Sequence, residues 1–81
     1  MKKTVRVRYF AMLREQRGLG EEQVATEAAT AAELYEELRG RHGFTLPADR
    51  LRVAVNDEFE PWGVAVREAD SVVFIPPVAG G

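Results

Sequence analysis

The sequence contains no cysteine and only one histidine, His42, among its 81 residues. Without cysteine, the chain has no thiolate that could act as a nucleophile or metal ligand, and it forms no disulfide. One histidine is too few for the usual zinc ligand sets, so we predict no metal site. His42 stands between Arg41 and Gly43 at the end of a predicted helix, and we expect it to cap that helix or lie at the surface.

Long apolar runs and an excess of basic charge are also missing. No stretch approaches the length of a membrane span, and no signal-peptide pattern opens the chain. We therefore expect a cytoplasmic protein that makes no use of a membrane. The net charge is −2 and the pI is about 5.4, whereas nucleic-acid binding relies on lysine and arginine to neutralise phosphates. The composition therefore predicts no nucleic-acid partner.

The order of apolar patterns predicts an α+β fold. Alternating apolar residues, or short apolar runs, predict strands at 4–10, 22–28, 51–55 and 71–75, with a short strand at 58–60 and further alternation at Val64 and Val66. Helix formers fill residues 11–17, and a capping box at Thr30 and Glu33 predicts the main helix over 31–42. Such an order is typical of the β-grasp (ubiquitin-like) roll, a mixed sheet of about four to five strands packed on one main helix. We assign residues 1–75 to this domain and residues 76–81 to an extended, flexible tail.

The last strand is apolar at every position from Val72 to Ile75, so both of its faces carry apolar groups. One main helix covers only one face of a sheet. The remaining apolar residues are then expected to form an exposed patch of the kind that contacts partners.

The tail is the strongest candidate for chemistry. Pro76 and Pro77 cannot donate to a sheet, and they stiffen the backbone where the strand ends. From Pro76 to Gly81 the chain spans about 20 Å when extended. Gly80 and Gly81 lack Cβ atoms, so a narrow active site can close around them. A terminal glycine carboxylate is unhindered, and it becomes reactive once a partner enzyme adenylates it.

Three blocks of sequence resemble a known family: residues 7–15 (VRYFAMLRE), 53–56 (VAVN) and 70–81 (DSVVFIPPVAGG). The chain closely resembles the small subunits of molybdopterin synthase, which are ubiquitin-like sulfur carriers, over essentially its whole length. Many members have an Asp-Gly-Asp-like turn where this sequence has Glu68-Ala69-Asp70, and we expect that difference to alter the turn without affecting the tail.

The resemblance implies a sulfur carrier that is not catalytic on its own. An E1-like adenylyltransferase would consume ATP to place AMP transiently on Gly81, and a sulfur donor enzyme would convert Gly81 to a thiocarboxylate. The tail would then enter the large subunit of molybdopterin synthase, in a two-plus-two heterotetramer. There the sulfur would pass to cyclic pyranopterin monophosphate (precursor Z) for molybdenum cofactor biosynthesis. No cofactor would be permanently bound.

The remaining site residues divide between the tail and the domain. Gly80 gives clearance, and the residues expected to thread the tail into the partner are Pro76, Pro77, Val78 and Ala79. Of Phe74 and Ile75, which face opposite ways, one is expected in the core and the other at the interface. Phe10 and Arg14 are further interface candidates, with a core position open for Phe10, and Trp62 is either an interface anchor or a lid over the core.

Three other interpretations remain open. The recipient of the sulfur could be thiazole (thiamine) synthesis or tRNA thiolation. The chain could instead be a ubiquitin-like modifier joined to lysines through Gly81. A β-grasp module that binds a ligand or RNA without acyl chemistry is the third.

Overall fold

The computed structural model describes residues 2–77. Within these residues, five strands and two α-helices form, joined by short loops and one 3₁₀ turn at Ala48–Arg50. In chain order they are β1 (Lys3–Tyr9), α1 (Ala11–Arg17), β2 (Glu21–Thr26), α2 (Ala31–His42), β3 (Arg52–Val55), β4 (Glu58–Glu60) and β5 (Ser71–Ile75). None of the helices in this part of the chain is long and apolar enough to cross a membrane.

The strands form one mixed sheet in the order β2-β1-β5-β3-β4. The central pair, β1 and β5, is parallel, and every other neighbouring pair is antiparallel. Alternate strand residues point toward α2 and form the core with it; they include Val5, Val7, Tyr9, Val53, Val55, Val72 and Phe74, packed on Leu34, Tyr35 and Leu38. The predicted α+β β-grasp arrangement is confirmed.

The main helix begins and ends where its capping residues predict. Thr30 Oγ1 accepts a hydrogen bond from the Glu33 backbone N–H at 3.2 Å. The Glu33 carboxylate reaches back one residue further than a standard capping box and accepts from the Ala29 N–H at 3.1 Å. At the other end, Gly43 takes a left-handed conformation with φ of 73° and donates its N–H to the Arg39 carbonyl. Both ends of α2 therefore follow from local sequence.

Four details of the strand prediction differ from the structure. β1 spans Lys3–Tyr9 rather than 4–10, and β3 spans Arg52–Val55 rather than 51–55. The second strand spans Glu21–Thr26 rather than 22–28, because its end turns into the cap of α2. Val64 and Val66 lie in no strand; between them, Ala65 makes a single antiparallel bridge with Thr30. This segment instead bonds to the start of α2, where the Val64 carbonyl accepts from the Ala31 N–H at 3.0 Å.

The turn that leads into β5 holds alanine in a conformation suited to glycine. Ala69 has φ of 69°, a left-handed value that costs a residue with a Cβ about 1–2 kcal/mol. Asp70 closes the turn: its carboxylate accepts from the Arg67 N–H at 2.8 Å and from Asn56 Nδ2 at 3.0 Å. The Ala69 N–H also donates to the Thr4 carbonyl at 2.8 Å. These bonds hold Ala69 in its strained conformation.

Replacing Ala69 with glycine is therefore expected to raise the free energy of unfolding by about 0.5–1 kcal/mol. Glycine adopts the same φ without a Cβ clash, and the backbone bonds of the turn stay in place. Urea unfolding of both proteins measures the difference. Ala25→Gly is the matched control. Ala25 lies in strand β2, where the same substitution is expected only to lower the free energy of unfolding. A less stable Ala69→Gly protein would show that the turn is not strained.

A cluster of polar side chains joins α1, β1, β2 and α2. The carboxylate of Glu22 accepts hydrogen bonds from the Tyr9 hydroxyl at 2.7 Å and from two Arg17 nitrogens at 2.8 and 3.0 Å. His42 Nε2 lies 3.5 Å from the same carboxylate, and its side chain is only 13% exposed. His42 lies in the last turn of α2 as expected, but the expected surface position was wrong, because its ring packs against Phe44 at a centroid distance of 5.6 Å.

The pKa values in this cluster follow from its contacts. The hydrogen bonds from Arg17 hold the pKa of Glu22 at about 2, below its ordinary value of 4.5. Burial raises the pKa of Tyr9, and the hydrogen bond to Glu22 raises it further. Burial, together with the charge of Arg17, lowers the pKa of His42. Glu22 is therefore ionised and His42 neutral at neutral pH.

Replacing Glu22 with glutamine is expected to lower the free energy of unfolding by about 2 kcal/mol near pH 7. The folded-state pKa of Glu22 lies below its unfolded value, so this contribution is complete above pH 4.5 and is lost as the pH falls toward 2. Urea unfolding at several pH values should show the two proteins converging in acid. Glu21→Gln is the matched control. It removes the salt bridge between Glu21 and Arg6, whose side chains are both about half exposed, so the free energy of unfolding should change by less than about 0.5 kcal/mol. Equal stability of Glu22→Gln and wild type near pH 7 would contradict the prediction.

Candidate functional site

The chain leaves the domain between two apolar grooves. β5 ends at Ile75, Pro76 is buried and Pro77 is exposed. These three residues line both grooves. The α1 groove has a volume of about 700 Å³, and its other lining residues are Phe10, Ala11, Met12, Leu46 and Arg50. The β4 groove has a volume of about 360 Å³, and its other lining residues are Asp49, Arg50, Leu51, Arg52 and Phe59.

The structure settles which residue of the last strand faces outward. Phe74 has no exposed surface, and its ring packs on Tyr35 at a centroid distance of 5.1 Å. Phe74 is therefore the core residue of the two, and an interface position for it is wrong, because β5 turns it toward α2. Ile75, the next residue along the strand, points the other way and lines both grooves. Val73 shares the outward face but is only 6% exposed, so it adds little to an exposed patch.

The other predicted interface residues lie in different places. Phe10 caps α1 and is 41% exposed at the α1 groove. Arg14 is exposed one turn further along α1, with its guanidinium beside Gly20 rather than in the groove. Trp62 is partly buried, and its ring stacks on Phe74 at 5.9 Å with an interplanar angle of 10°. Trp62 is therefore a lid over the core, on the side of the sheet that faces α2.

Sequence reasoning missed Phe59, which is 58% exposed in β4. Phe59 lies opposite Ala54 in the β3–β4 ladder, and Ala54 in turn lies opposite Val73 of β5. Residues directly opposite share a face of the sheet, so Phe59 belongs to the same surface as Ile75. The signal was present as an aromatic residue between two glutamates in a strand of three residues.

Two arginines lie against the exposed aromatic rings. The Arg52 guanidinium carbon is 4.1 Å from the Phe59 ring centroid, and that of Arg8 is 5.6 Å from the Phe10 centroid. We call the surface formed by these four residues and Ile75 the docking face. It is apolar with a positively charged rim, which suits a partner that offers apolar side chains bordered by acidic ones.

The predicted tail residues Val78, Ala79, Gly80 and Gly81 lie outside the described residues. Within residues 2–77, no three histidine, aspartate or glutamate side chains come together in a way that could hold a metal ion. The described structure shows where the tail begins. It follows β5, a central strand of the sheet, and its first residue, Pro76, is buried against the domain. The tail therefore starts from a fixed point beside the docking face.

Comparison with known proteins identifies the family. The model of the ThiS family matches residues 7–81. The chain belongs to the ThiS family. It is 35% identical over 78 residues to the molybdopterin synthase sulfur carrier subunit of Haemophilus influenzae, covering 93% of this chain and 96% of that protein. The predicted resemblance is thereby confirmed.

Solved structures of other proteins are also similar to this member of the ThiS family. SAMP1 from Haloferax volcanii is 27% identical with a TM-score of 0.79, and the match covers 96% of this chain and 99% of that one. A complex of subunits 1 and 2 of molybdopterin-converting factor from Helicobacter pylori contains a chain that is 25% identical, with a TM-score of 0.64 and coverage of 96% and 99%. The fold is thus the ubiquitin-like β-grasp fold.

Proposed function

We propose that this chain is the sulfur carrier subunit of a molybdopterin synthase and that it carries sulfur as a thiocarboxylate on Gly81. The observation that supports the proposal most is the similarity to a sulfur carrier subunit over nearly the whole of both chains. The matched family region runs through Gly80 and Gly81. The chain is the donor of sulfur, and the catalytic groups belong to the large subunit.

The chemistry needs only the terminal carboxylate. A carboxylate oxygen of Gly81 attacks the α-phosphorus of ATP, pyrophosphate leaves, and an acyl-adenylate forms on the E1-like enzyme. Hydrosulfide from a sulfur donor then attacks the acyl carbon, and AMP leaves with the electrons of the broken C–O bond. Gly81 now carries sulfur in place of one oxygen. The thiocarboxylate sulfur then bonds to a carbon of cyclic pyranopterin monophosphate, and an oxygen leaving group departs from that carbon with the electrons of the broken C–O bond. Water cleaves the acyl–sulfur bond of the resulting thioester, so the sulfur stays on the pterin and Gly81 regains its carboxylate.

The docking face is proposed to hold the large subunit while the tail occupies its active site. Ile75 belongs to the docking face and immediately precedes the tail, which begins at Pro76. A partner that receives Gly81 must therefore pass close to Ile75 and the two grooves. The similarity to a chain solved as a complex of subunits 1 and 2 supports this partner. Binding through the docking face leaves α2 and the polar cluster around Glu22 uncovered.

Reconstitution tests the proposal. The protein is incubated with ATP, an E1-like adenylyltransferase, a sulfur donor, the large subunit and cyclic pyranopterin monophosphate, and molybdopterin is measured. We expect molybdopterin to form only when all five are present. If the tail acquires sulfur but no molybdopterin forms, the recipient is another pathway, such as thiazole synthesis or tRNA thiolation.

A second candidate function is protein modification, favoured by the similarity to SAMP1, a name that stands for small archaeal modifier protein 1. In that case the activated Gly81 acyl group is attacked by a lysine amine rather than by hydrosulfide, and an isopeptide bond forms. Cell extracts that contain an epitope-tagged form of this chain would then show larger tagged species that lack Gly81 as a free terminus. Peptide mass spectrometry identifies such lysine linkages directly.

A further inference from the structure

The walls of the α1 groove come from parts of the chain that the sheet does not connect to each other. One wall is the start of α1, with Phe10 and Met12, and the other is the segment after α2, with Leu46 and Arg50. α1 has only seven residues, of which Leu13 alone is buried. A helix of this length is unstable by itself. Its position therefore depends on contacts with the rest of the protein.

A pair of side chains outside the groove joins the two walls. Gln16 Nε2 donates a hydrogen bond to Thr45 Oγ1 at 2.9 Å, and the Thr45 backbone N–H donates to Gln16 Oε1 at 3.3 Å. The Gln16 amide thus both donates a hydrogen bond to Thr45 and accepts one from it. The Thr45 hydroxyl also donates to Met12 Sδ at 3.7 Å, which links the pair to a residue that lines the groove. Neither Gln16 nor Thr45 lines the groove itself.

The start of α1 requires such a restraint. Ala11 has φ of 51°, a left-handed value that residues with a Cβ rarely adopt and that persists only when surrounding contacts hold it. Ala11 lies between Phe10 and Met12, whose side chains are 41% and 43% exposed. Loss of the restraint would let the backbone at Ala11 relax, and both side chains would move with it.

We infer that Gln16 and Thr45 are positioning residues that hold the α1 groove in the shape that accepts an apolar segment of the large subunit. This inference rests on the proposed function. Pro76 and Pro77, the first residues of the tail, line the groove, and Arg50 adds positive charge to its lining. An apolar segment flanked by acidic residues fits this groove. Binding to a groove that is already ordered avoids the entropy cost of ordering Phe10 and Met12 in the complex.

The test combines three variants that remove or keep the hydrogen bonds. Gln16→Met keeps the length of the side chain and removes its amide, Thr45→Val keeps the shape and removes the hydroxyl, and the third variant combines both. Surface plasmon resonance measures Kd and dissociation rate for the large subunit, and thermal unfolding confirms that each variant is folded. We expect each single variant to bind about fivefold more weakly, mainly through faster dissociation. The double variant should be no weaker than the worse single one, because both substitutions break the same link.

Two controls separate positioning from other effects. Thr45→Ser keeps the hydroxyl and should bind like wild type, and Gln23→Met makes the same exchange at an exposed residue of β2 and should also have no effect. Additive losses in the double variant would mean that the two residues contact the partner separately, and would overturn the inference. Unchanged affinity in all variants would overturn it too. If wild type itself fails to bind the large subunit, the proposed function fails, and the inference fails with it.

Discussion

Removing Gly81 is expected to abolish sulfur transfer. The shortened chain still ends in glycine, Gly80, so its terminal carboxylate keeps the same chemistry. Its reach is shorter by about 3.5 Å, whereas productive attack requires reacting atoms to approach within about 3–3.5 Å. A displacement of even about 1 Å can cost about 100-fold in rate. We therefore expect molybdopterin formation in the reconstituted system to fall by at least about 100-fold.

The matched control for the deletion is Gly81→Ala, which keeps the length of the tail and adds one Cβ. This variant separates the effect of tail length from that of steric clearance. If it lowers molybdopterin formation less than the deletion does, tail length is the more important of the two. The thermal unfolding midpoint should be unchanged in both variants, because the core and the sheet that the structure describes are formed by residues 2–77. Full activity of the shortened chain would show that Gly81 is not the carrier residue.

Replacing Phe59 with alanine is expected to weaken binding to the large subunit by about 30-fold, which corresponds to about 2 kcal/mol. Phe59 is the most exposed of the large apolar residues in the described structure. The Arg52 guanidinium lies on its ring at 4.1 Å, so the substitution also releases the cation from its fixed place. Aromatic residues of this kind, bordered by charge, carry much of the energy at interfaces. Isothermal titration calorimetry with the large subunit measures the change.

Leu19→Ala is the matched control for Phe59→Ala. Leu19 is 44% exposed but lies in the loop after α1 and lines neither groove, so its removal should change affinity by less than about twofold. Both variants are expected to fold like wild type, since neither residue belongs to the core cluster. If the Phe59→Ala protein binds the large subunit as tightly as wild type, β4 is not part of the surface that contacts the partner.

The fold was predictable because its signals are local. The hydroxyl of Thr30 and the αL conformation of Gly43 define the two ends of α2, and neither depends on the rest of the protein. Pro76 ends β5 because it has no N–H to donate. The order of elements then leaves few arrangements for a sheet with one main helix. The terminal glycines were recognisable for the same reason, since their significance lies in the sequence itself.

Contacts between distant segments were not predictable. Phe74 and Ile75 are both apolar, so the alternation that normally shows which face is buried is absent from β5. Only the register of β5 against β1 and β3 decides that Phe74 turns toward α2. Phe59 joins the docking face through its pairing with Ala54, and the link between Gln16 and Thr45 spans 29 positions. No periodicity in the sequence reports such contacts.

The electrostatic environment of the polar cluster around Glu22 could not be predicted from the sequence either. Tyr9, Arg17, Glu22 and His42 have no shared motif, yet the packing of four elements brings them together. The predicted position of His42 at a helix end is correct, but the exposure inferred from that position is wrong. A helix end faces solvent only if no other element covers it, and β2 supplies Glu22 at this one.

The central claim is that Gly81 carries sulfur, and the intact mass of the protein tests it most directly. The full chain is incubated with ATP, an E1-like adenylyltransferase and a sulfide source, and the product is analysed by mass spectrometry before and after proteolysis. The account predicts a mass gain equal to the exchange of one oxygen for sulfur, located on the peptide that ends in Gly81. An unchanged mass, under conditions in which another sulfur carrier is converted by its own adenylyltransferase, would contradict it.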